Sequence, residues 1–260
     1  MMSKQPRIHK FFRSNNRSFI LAIDHGMMVG SIKGINNIHE ILKKVVDAPI
    51  DGLLASPVLI DKIRQTYPSH PFPLIYTVDY ALMSNLVQEQ GKQFAAHRLL
   101  WGVEDAVKSG ADAVKLFLNF GGEKDPLMDN IKSVREIVKQ SEDWGVPVMV
   151  EILFLDNKQF QVKENQQQMM EDACRITYEL GADFLKIPMI EQMDAYRNIV
   201  RDIPAPVFVL GGAKMKEDQL VTRVRSLLQA GIHGVAFGRN IWQSDDMTGV
   251  MKRLEQVIHE

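Results

Sequence analysis

Eight short apolar runs recur along the chain and constrain its fold more than any other feature. They are "FILAID" (19–24), "GLLASP" (52–57), "PLIYTVD" (73–79), "DAVKLFLNF" (112–120), "VPVMVEILFL" (146–155), "DFLKIPM" (183–189), "PVFVLGG" (206–212) and "GVAFGRN" (234–240). The runs are continuously apolar rather than alternating, which is typical of strands covered on both faces, as in a parallel sheet. An α/β protein is therefore predicted.

The segments between the runs have the periodicity of amphipathic helices. In residues 36–48, one stripe of the predicted helix carries Ile38, Ile41, Leu42 and Val45. Similar stripes occur in residues 128–145 and 217–231, each closed by a glycine. A helix–glycine–strand unit recurs in "SGADAVKL", "LGADFLKI" and "AGIHGVAF". This recurrence predicts stacked βα units.

Eight strands with intervening helices in 260 residues predict a (β/α)8 TIM barrel. We expect a single domain over residues 1–260, with a short N-terminal extension over residues 1–17. The alternative is a doubly wound sheet, which usually carries a glycine-rich fingerprint after its first strand. The first apolar run here ends in "DHGMMVG" instead, which favours the barrel.

Composition excludes several classes of function. The formal net charge is -1, so no basic signal points to nucleic acid or to an anionic membrane. No apolar run reaches the roughly 18 residues that span a bilayer, and the basic N-terminus lacks a secretory apolar region. The seven histidines lack metal-binding spacing, and Cys174, as the one cysteine, allows no intrachain disulfide. We expect a soluble, cytoplasmic protein without a metal.

Charged side chains lie where the strands of a barrel end, which is where barrel active sites form. The first run ends in Asp24 and His25, the fifth carries Glu151, and the fourth and sixth carry Lys115 and Lys186. A buried lysine tends toward the neutral amine, which attacks a carbonyl and forms a Schiff base. Structural ion pairs are the alternative, but two lysines and two acids at one barrel mouth favour catalysis. His25 fits either substrate binding or the positioning of the preceding carboxylate.

Glycines follow the last two runs, where barrels often bind phosphate. Gly211 and Gly212 end the seventh run, and Gly238 with Arg239 ends the eighth. Glycine lets backbone N–H groups approach an anion, the loops are expected to lead into helix N-termini, and arginine adds a bidentate donor. A phosphate site is therefore predicted, with ordinary tight turns as the alternative.

Four of these stretches carry a family resemblance. "AIDHG", "GADFLK", "LGGAK" and "GVAFGRNIWQ", in this order, resemble the class I aldolases of the DhnA type, over about residues 17–257. That group includes fructose-bisphosphate aldolases, an aminodideoxy-heptulosonate synthase and the thiolase that processes phosphorylated autoinducer-2. The resemblance implies that Lys186 forms the Schiff base and that Asp24 lies beside the imine. It also implies a phosphate site at the two glycine loops, a small phosphorylated sugar as substrate, no cofactor, and a homo-oligomer.

The fifth run departs from the fructose-bisphosphate members of that family. Those members carry a proton-shuttling tyrosine where this chain has Leu153, two residues after Glu151. The pair "VKLFL" and "VEILF" resembles instead the tagatose-bisphosphate and sulfofructose-phosphate aldolases, which implies that Lys115 and Glu151 line the site. The departure leaves the identity of the ketose open.

The sequence thus predicts a class I aldolase that cleaves or forms a carbon–carbon bond in a phosphorylated ketose. Lys186 is the expected nucleophile, with Asp24 or Glu151 taking the proton of the C4 hydroxyl. One alternative is a thiolase-like acyl transfer on a phosphorylated diketone with coenzyme A. Another is a barrel that binds a sugar phosphate without turnover.

Overall fold

The computed structural model describes residues 2–81, 97–122 and 124–260. In these ranges, parallel strands close a barrel in the order β1-β10-β9-β8-β7-β6-β3-β2. Those eight strands are β1 (Ser18–Ala22), β2 (Gly52–Ala55), β3 (Leu74–Thr77), β6 (Ala113–Asn119), β7 (Val148–Leu153), β8 (Phe184–Ile187), β9 (Val207–Leu210) and β10 (Gly234–Phe237). Two short strands, β4 (Asp79–Ala81) and β5 (His97–Leu99), pair antiparallel outside it. The predicted (β/α)8 TIM barrel is confirmed.

Helices precede, connect and follow the barrel strands. They are α1 (Gln5–His9), α2 (His25–Val29), α3 (Ile38–Val46), α4 (Pro57–Thr66), α5 (Val103–Lys108), α6 (Lys124–Trp144), α7 (Lys163–Glu179), α8 (Met193–Asp202), α9 (Glu217–Gln229), α10 (Arg239–Trp242) and α11 (Met247–His259). In the ranges given above, none of them has both the length and the apolar character needed to cross a bilayer.

The predicted apolar stripe of α3 needs one correction. Ile41, Leu42 and Val45 are buried, whereas Ile38 is 49% exposed. Ile38 is the first residue of the helix, directly after the cap Asn37. Since helical side chains tilt toward the N-terminus, the side chain of a first residue projects beyond the surface that the helix buries.

A residue of the N-terminal segment completes the core inside the barrel. Side chains from the barrel strands form one buried cluster with Phe11, which comes from the N-terminal segment and is fully buried. Its ring packs edge-on against Phe184, with the centroids 5.6 Å apart. Gly52 leaves room for this ring, because a Cβ there would lie 2.9 Å from Phe11. The N-terminal segment therefore closes the bottom of the barrel.

Aspartates at the bottoms of the strands hold this segment in place. Asp112 and Asp183 each immediately precede a barrel strand and accept a backbone N–H from a residue of the neighbouring strand, at 3.1 and 2.8 Å. Lys10 and Lys4 pair with these two carboxylates, each at 2.7 Å. The recurring "GAD" of the sequence thus has a structural use, because each aspartate links two strands and anchors the segment beneath them.

The Phe11 ring acts as a plug at the bottom of the barrel, and its truncation tests how much it contributes to stability. We expect Phe11→Ala to lower the free energy of unfolding by about 3–5 kcal/mol, because it opens a cavity under the barrel. Urea unfolding measures the loss. The matched control is Val58→Ala, at a side chain that is 73% exposed, for which we expect a change within about 0.5 kcal/mol. Equal effects of the two substitutions would show that the plug contributes little.

Candidate active site

A cavity of about 220 Å³ opens at the carboxyl ends of the barrel strands. It contains eight of the nine site residues predicted from the sequence: Asp24, His25, Glu151, Lys186, Gly211, Gly212, Gly238 and Arg239. The ninth, Lys115, is fully buried and contacts the carboxylates of this set. The structure therefore brings all nine residues together.

Strand register places the lysine of β8 beside the glutamate of β7. Glu151 and Lys186 are directly paired positions of these two strands, and both side chains line the cavity. Nζ of Lys186 donates to Oε2 of Glu151 at 2.7 Å, and the lysine residue is only 2% exposed. An amine held this way is shielded from bulk water, yet it borders the cavity that a substrate would enter.

Lys115 links the Glu151–Lys186 pair to Asp24, which follows β1. Nζ of Lys115 lies 3.1 Å from the same Oε2 of Glu151 and 3.6 Å from Oδ2 of Asp24. It also lies 3.0 Å from the ring centroid of Phe117, a favourable cation–π contact. The two lysines and two carboxylates form a chain whose formal charges cancel. Buried charges persist only when paired in this way.

The electrostatics of the chain keep the acids ionised and Lys115 protonated. Burial opposes the ionised form of Glu151, but the charges of Lys115 and Lys186 outweigh it and lower its pKa. Burial likewise opposes ionisation of Asp24, and Lys115 together with His25 holds its pKa well below the usual range. For Lys115, burial favours the neutral amine, but Glu151 and Asp24 prevail and raise its pKa. The site therefore contains a permanent cation next to the candidate nucleophile.

Neighbouring side chains fix the orientation of Asp24. Thr77 on β3 donates its hydroxyl to Oδ2 at 3.0 Å, and Nδ1 of His25 lies 3.4 Å from Oδ1. The His25 ring packs edge-on against Trp242, with the centroids 5.5 Å apart, and its side chain is 27% exposed. His25 thus contacts the carboxylate and borders the cavity, so both of its predicted roles agree with the geometry.

The lowered carboxylate pKa values predict a pH dependence of stability. A carboxyl group whose pKa is lower in the folded protein stabilises it above the unfolded-state value and loses that contribution as the pH falls. Asp24 and Glu151 are such groups. We therefore expect the unfolding free energy to fall between about pH 6 and pH 3, and to fall less in Asp24→Asn. Urea unfolding across that range measures both slopes.

The control for the pH experiment is Asp245→Asn, since the Asp245 side chain is 93% exposed. Its slope should match the wild type. If Asp24→Asn also keeps the wild-type slope, the buried carboxylate is not a source of the acid sensitivity.

The two glycine loops meet at the other side of the cavity. Gly212 has φ +61°, which disfavours any residue with a side chain, and a Cβ on Gly238 would lie 2.8 Å from Cε1 of His25. Asn240 ties the loops together, since its Nδ2 donates to the carbonyl of Gly211 at 2.6 Å. Arg239 is exposed on the rim. The loops therefore bring backbone groups and one guanidinium to the same edge.

The two loops lead into their helices over different distances. We predicted that both loops lead into a helix N-terminus. Gly238 is indeed followed at once by α10, but α9 begins only at Glu217, well after Gly212. Asn240 holds the residues in between, because its Oδ1 accepts the N–H of Met215 at 2.8 Å. Any anion contact near Gly212 therefore relies on the loop itself.

Sequence reasoning missed two kinds of residue in the site. Thr77 and Asn240 act through hydrogen bonds to Asp24 and Gly211, and neither was predicted to belong to the site. Apart from Leu153, which stands where some relatives carry the tyrosine, the apolar part of the cavity lining was also not predicted; it includes Met28, Val29, Ile32, Phe117, Leu155, Leu210 and Ala236. These residues are indistinguishable in sequence from ordinary core residues.

A lysine buried beside a carboxylate at the mouth of a (β/α)8 barrel is the arrangement of a lysine-dependent aldolase. The model of the DeoC/LacD family aldolases matches residues 18–244. The chain belongs to this family of class I aldolases and is an enzyme of the lyase type.

Relatives and solved structures agree with this assignment. The chain is 29% identical to an uncharacterised aldolase of Saccharolobus solfataricus, over 100% of this chain and 96% of the relative. It is 28% identical to 2-amino-3,7-dideoxy-D-threo-hept-6-ulosonate synthase 1 of Archaeoglobus fulgidus, over 100% and 92%. The crystal structure of an archaeal fructose 1,6-bisphosphate aldolase superimposes with a TM-score of 0.83 at 26% identity, covering 99% of each chain. A Schiff-base-forming fructose-1,6-bisphosphate aldolase superimposes with a TM-score of 0.82, also at 26% identity, covering 98% of this chain and 100% of the other.

Proposed function

We propose that the protein is a class I aldolase that cleaves or forms a carbon–carbon bond in a phosphorylated ketose through a Schiff base on Lys186. The observation that carries the proposal is the position of this amine. It is 2% exposed, lies 2.7 Å from Glu151, and borders a cavity whose other edge is the pair of glycine loops. A ketone carbon at Lys186 and a phosphate at the loops fit one small substrate.

Imine formation needs a neutral amine, and Glu151 is placed to provide it. A proton moves from Nζ of Lys186 to Oε2 of Glu151 across the 2.7 Å hydrogen bond. This transfer runs against the lowered pKa of Glu151, but it leaves the total charge of the buried cluster unchanged, so no unpaired charge is created in a site with little water. The amine attacks the ketone carbon, the resulting hydroxyl leaves as water with the proton from Glu151, and the iminium faces a carboxylate again.

Cleavage then requires a base for the C4 hydroxyl. We assign this role to Glu151, because its Oε2 lies 2.7 Å from the Lys186 nitrogen that becomes the iminium. As the proton leaves, the C3–C4 bond breaks, an aldehyde departs, and the bonding electrons form the enamine. Asp24 stabilises the cationic states by charge, and Lys115, which does not line the cavity, orients both carboxylates. Reprotonation at carbon and hydrolysis release the ketone.

The glycine loops are the proposed phosphate site. Backbone N–H groups near Gly211, Gly212 and Gly238, with the guanidinium of Arg239, would hold the dianion, and His25 would contact the substrate beside them. The support is the convergence of these groups on one edge of the cavity. The similarity to fructose-1,6-bisphosphate aldolases supports a phosphorylated sugar as the substrate class.

We further propose that the reaction needs no metal and no cofactor. A lysine iminium supplies the electron withdrawal that a metal supplies in other aldolases. Among the residues that the structure describes, no three His, Cys, Asp or Glu side chains are grouped so as to hold a metal ion. Activity is therefore expected to persist after treatment with a strong chelator.

The proposal includes a cytoplasmic homo-oligomer. The single cysteine, Cys174, is buried, and burial raises the pKa of its thiol, so it is an inert thiol compatible with a reducing compartment. Large apolar side chains such as Leu100 and Trp144 are 55% and 40% exposed, as expected for surfaces that meet other subunits. Light scattering after size-exclusion chromatography measures the oligomeric state.

Turnover with product identification tests the proposed function. The protein is incubated with dihydroxyacetone phosphate and a panel of aldehydes, with chelator present, and the products are identified by mass spectrometry. We expect condensation products that carry the mass of both partners. In a parallel assay with a phosphorylated diketone, turnover that appears only with coenzyme A would support acyl transfer instead, and binding without any product in either assay would support a non-catalytic barrel.

A further inference from the structure

We propose that the aldehyde half of the substrate is apolar and carries no phosphate, so that the ketose has a single phosphate at its ketone end. This inference rests on the proposed function and deepens it, because it names the chemistry of the second half of the substrate. It is carried by the wall of the cavity that faces away from the glycine loops.

That wall is continuous and apolar. Met28, Ala81 and Phe117 pack into one buried cluster, and Val29 and Leu153 pack against it. All of these except Ala81 line the cavity. The short helix α2 thus reaches from the end of β1 to β6 and closes the cavity with hydrocarbon side chains.

The order of the strands places this wall at the aldehyde end. Around the barrel mouth, β10 and β9 carry the glycine loops, β8 carries Lys186, and β7 and β6 carry Leu153 and Phe117. A ketose with its phosphate at the loops and its ketone carbon at Lys186 extends past Glu151 toward β7 and β6. The carbons beyond the broken bond therefore meet Leu153, Leu155 and Phe117.

The described cationic side chains of the cavity lining do not belong to this wall. Among the described residues that line the cavity, the cationic side chains are Lys186, which pairs with Glu151, and Arg239, which lies beside the glycine loops. Lys214 donates to the carbonyl of Gln243 at 2.6 Å and is not part of the lining. A phosphate placed against the apolar side chains of this wall would lose water without gaining a cation from them, which is unfavourable.

A matched series of three-carbon aldehydes tests the inference. Propanal, glyceraldehyde and glyceraldehyde 3-phosphate are each condensed with dihydroxyacetone phosphate by the wild-type protein. The new bond joins C3 of the ketone to the aldehyde carbon, and the aldehyde oxygen takes up a proton as C3 loses one. We expect kcat/KM to be highest for propanal and at least about tenfold lower for glyceraldehyde 3-phosphate.

A positive charge placed on the apolar wall should shift the preference from propanal toward glyceraldehyde 3-phosphate. Leu153→Arg and, as a second variant, Leu155→Arg each offer a cation without adding a new amine. Either is expected to raise the ratio of kcat/KM for glyceraldehyde 3-phosphate to that for propanal by about tenfold or more. Ile176→Arg, at a side chain 45% exposed on α7, is the control and should leave the ratio unchanged.

The outcomes separate this inference from the proposed function. A wild-type protein that condenses all three aldehydes but prefers glyceraldehyde 3-phosphate overturns the apolar aldehyde site and leaves the aldolase in place. A wild-type protein that neither condenses any aldehyde nor forms a borohydride-trapped adduct with dihydroxyacetone phosphate overturns both.

Discussion

Lys186→Met abolishes turnover and the adduct that borohydride traps with dihydroxyacetone phosphate, if Lys186 forms the Schiff base. Methionine has nearly the length of lysine but no amine, so the covalent step is lost while the side chain still fills its place. Lys115 cannot replace it, because Lys115 is fully buried and its pKa is raised by Glu151 and Asp24 against the effect of burial. A protonated amine is not a nucleophile.

The measurement combines intact-protein mass after reduction with a turnover assay. Lys163→Met is the matched control, since it removes an exposed lysine that pairs with Glu191 on the surface. That variant should form the full adduct. Circular dichroism establishes that both variants are folded. An adduct at the wild-type level in Lys186→Met would move the Schiff base to another lysine.

Lys115→Met is expected to destabilise the protein strongly. It leaves the buried carboxylates of Asp24 and Glu151 with one neighbouring lysine instead of two. Removing one partner of a buried ion pair typically costs about 3–5 kcal/mol, because the remaining charge stays in a medium of low polarity. Urea unfolding at neutral pH gives the loss, and the activity of the folded fraction should fall as well.

A double substitution distinguishes charge from packing. Adding Asp24→Asn to Lys115→Met removes the carboxylate that has lost its neighbouring lysine, so part of the lost stability should return. Lys132→Met, which breaks an exposed pair with Asp129, is the control and should change stability little. If Lys115→Met is no more costly than this control, the buried charges do not form the network that the distances indicate.

The barrel was predictable because its signal repeats. Each barrel strand is covered by helices on one side and by the barrel interior on the other, so each run is apolar throughout. Lys115 and Lys186 were recognisable for the same reason, since a lysine inside such a run needs a partner. Their partners Asp24 and Glu151 were predicted as well, because they belong to the strands that the barrel brings together.

Features that depend on distant contacts were not predictable. The exposure of Ile38 depends on where the helix begins relative to the sheet, which periodicity does not show. The plug formed by Phe11 lies in a segment for which the sequence predicts only a short extension. The clamp made by Asn240 and the apolar wall around Leu153 consist of residue types that are common elsewhere, so only the assembled barrel distinguishes them.

The most direct test of the account is peptide mapping of the wild-type protein after borohydride reduction with dihydroxyacetone phosphate. We predict one adduct, on the peptide that contains Lys186, with the peptide containing Lys115 unmodified. An adduct on Lys115 would reverse the roles of the two buried lysines. No adduct with this ketone, together with no adduct from any other phosphorylated ketone, would contradict Schiff-base catalysis at this site.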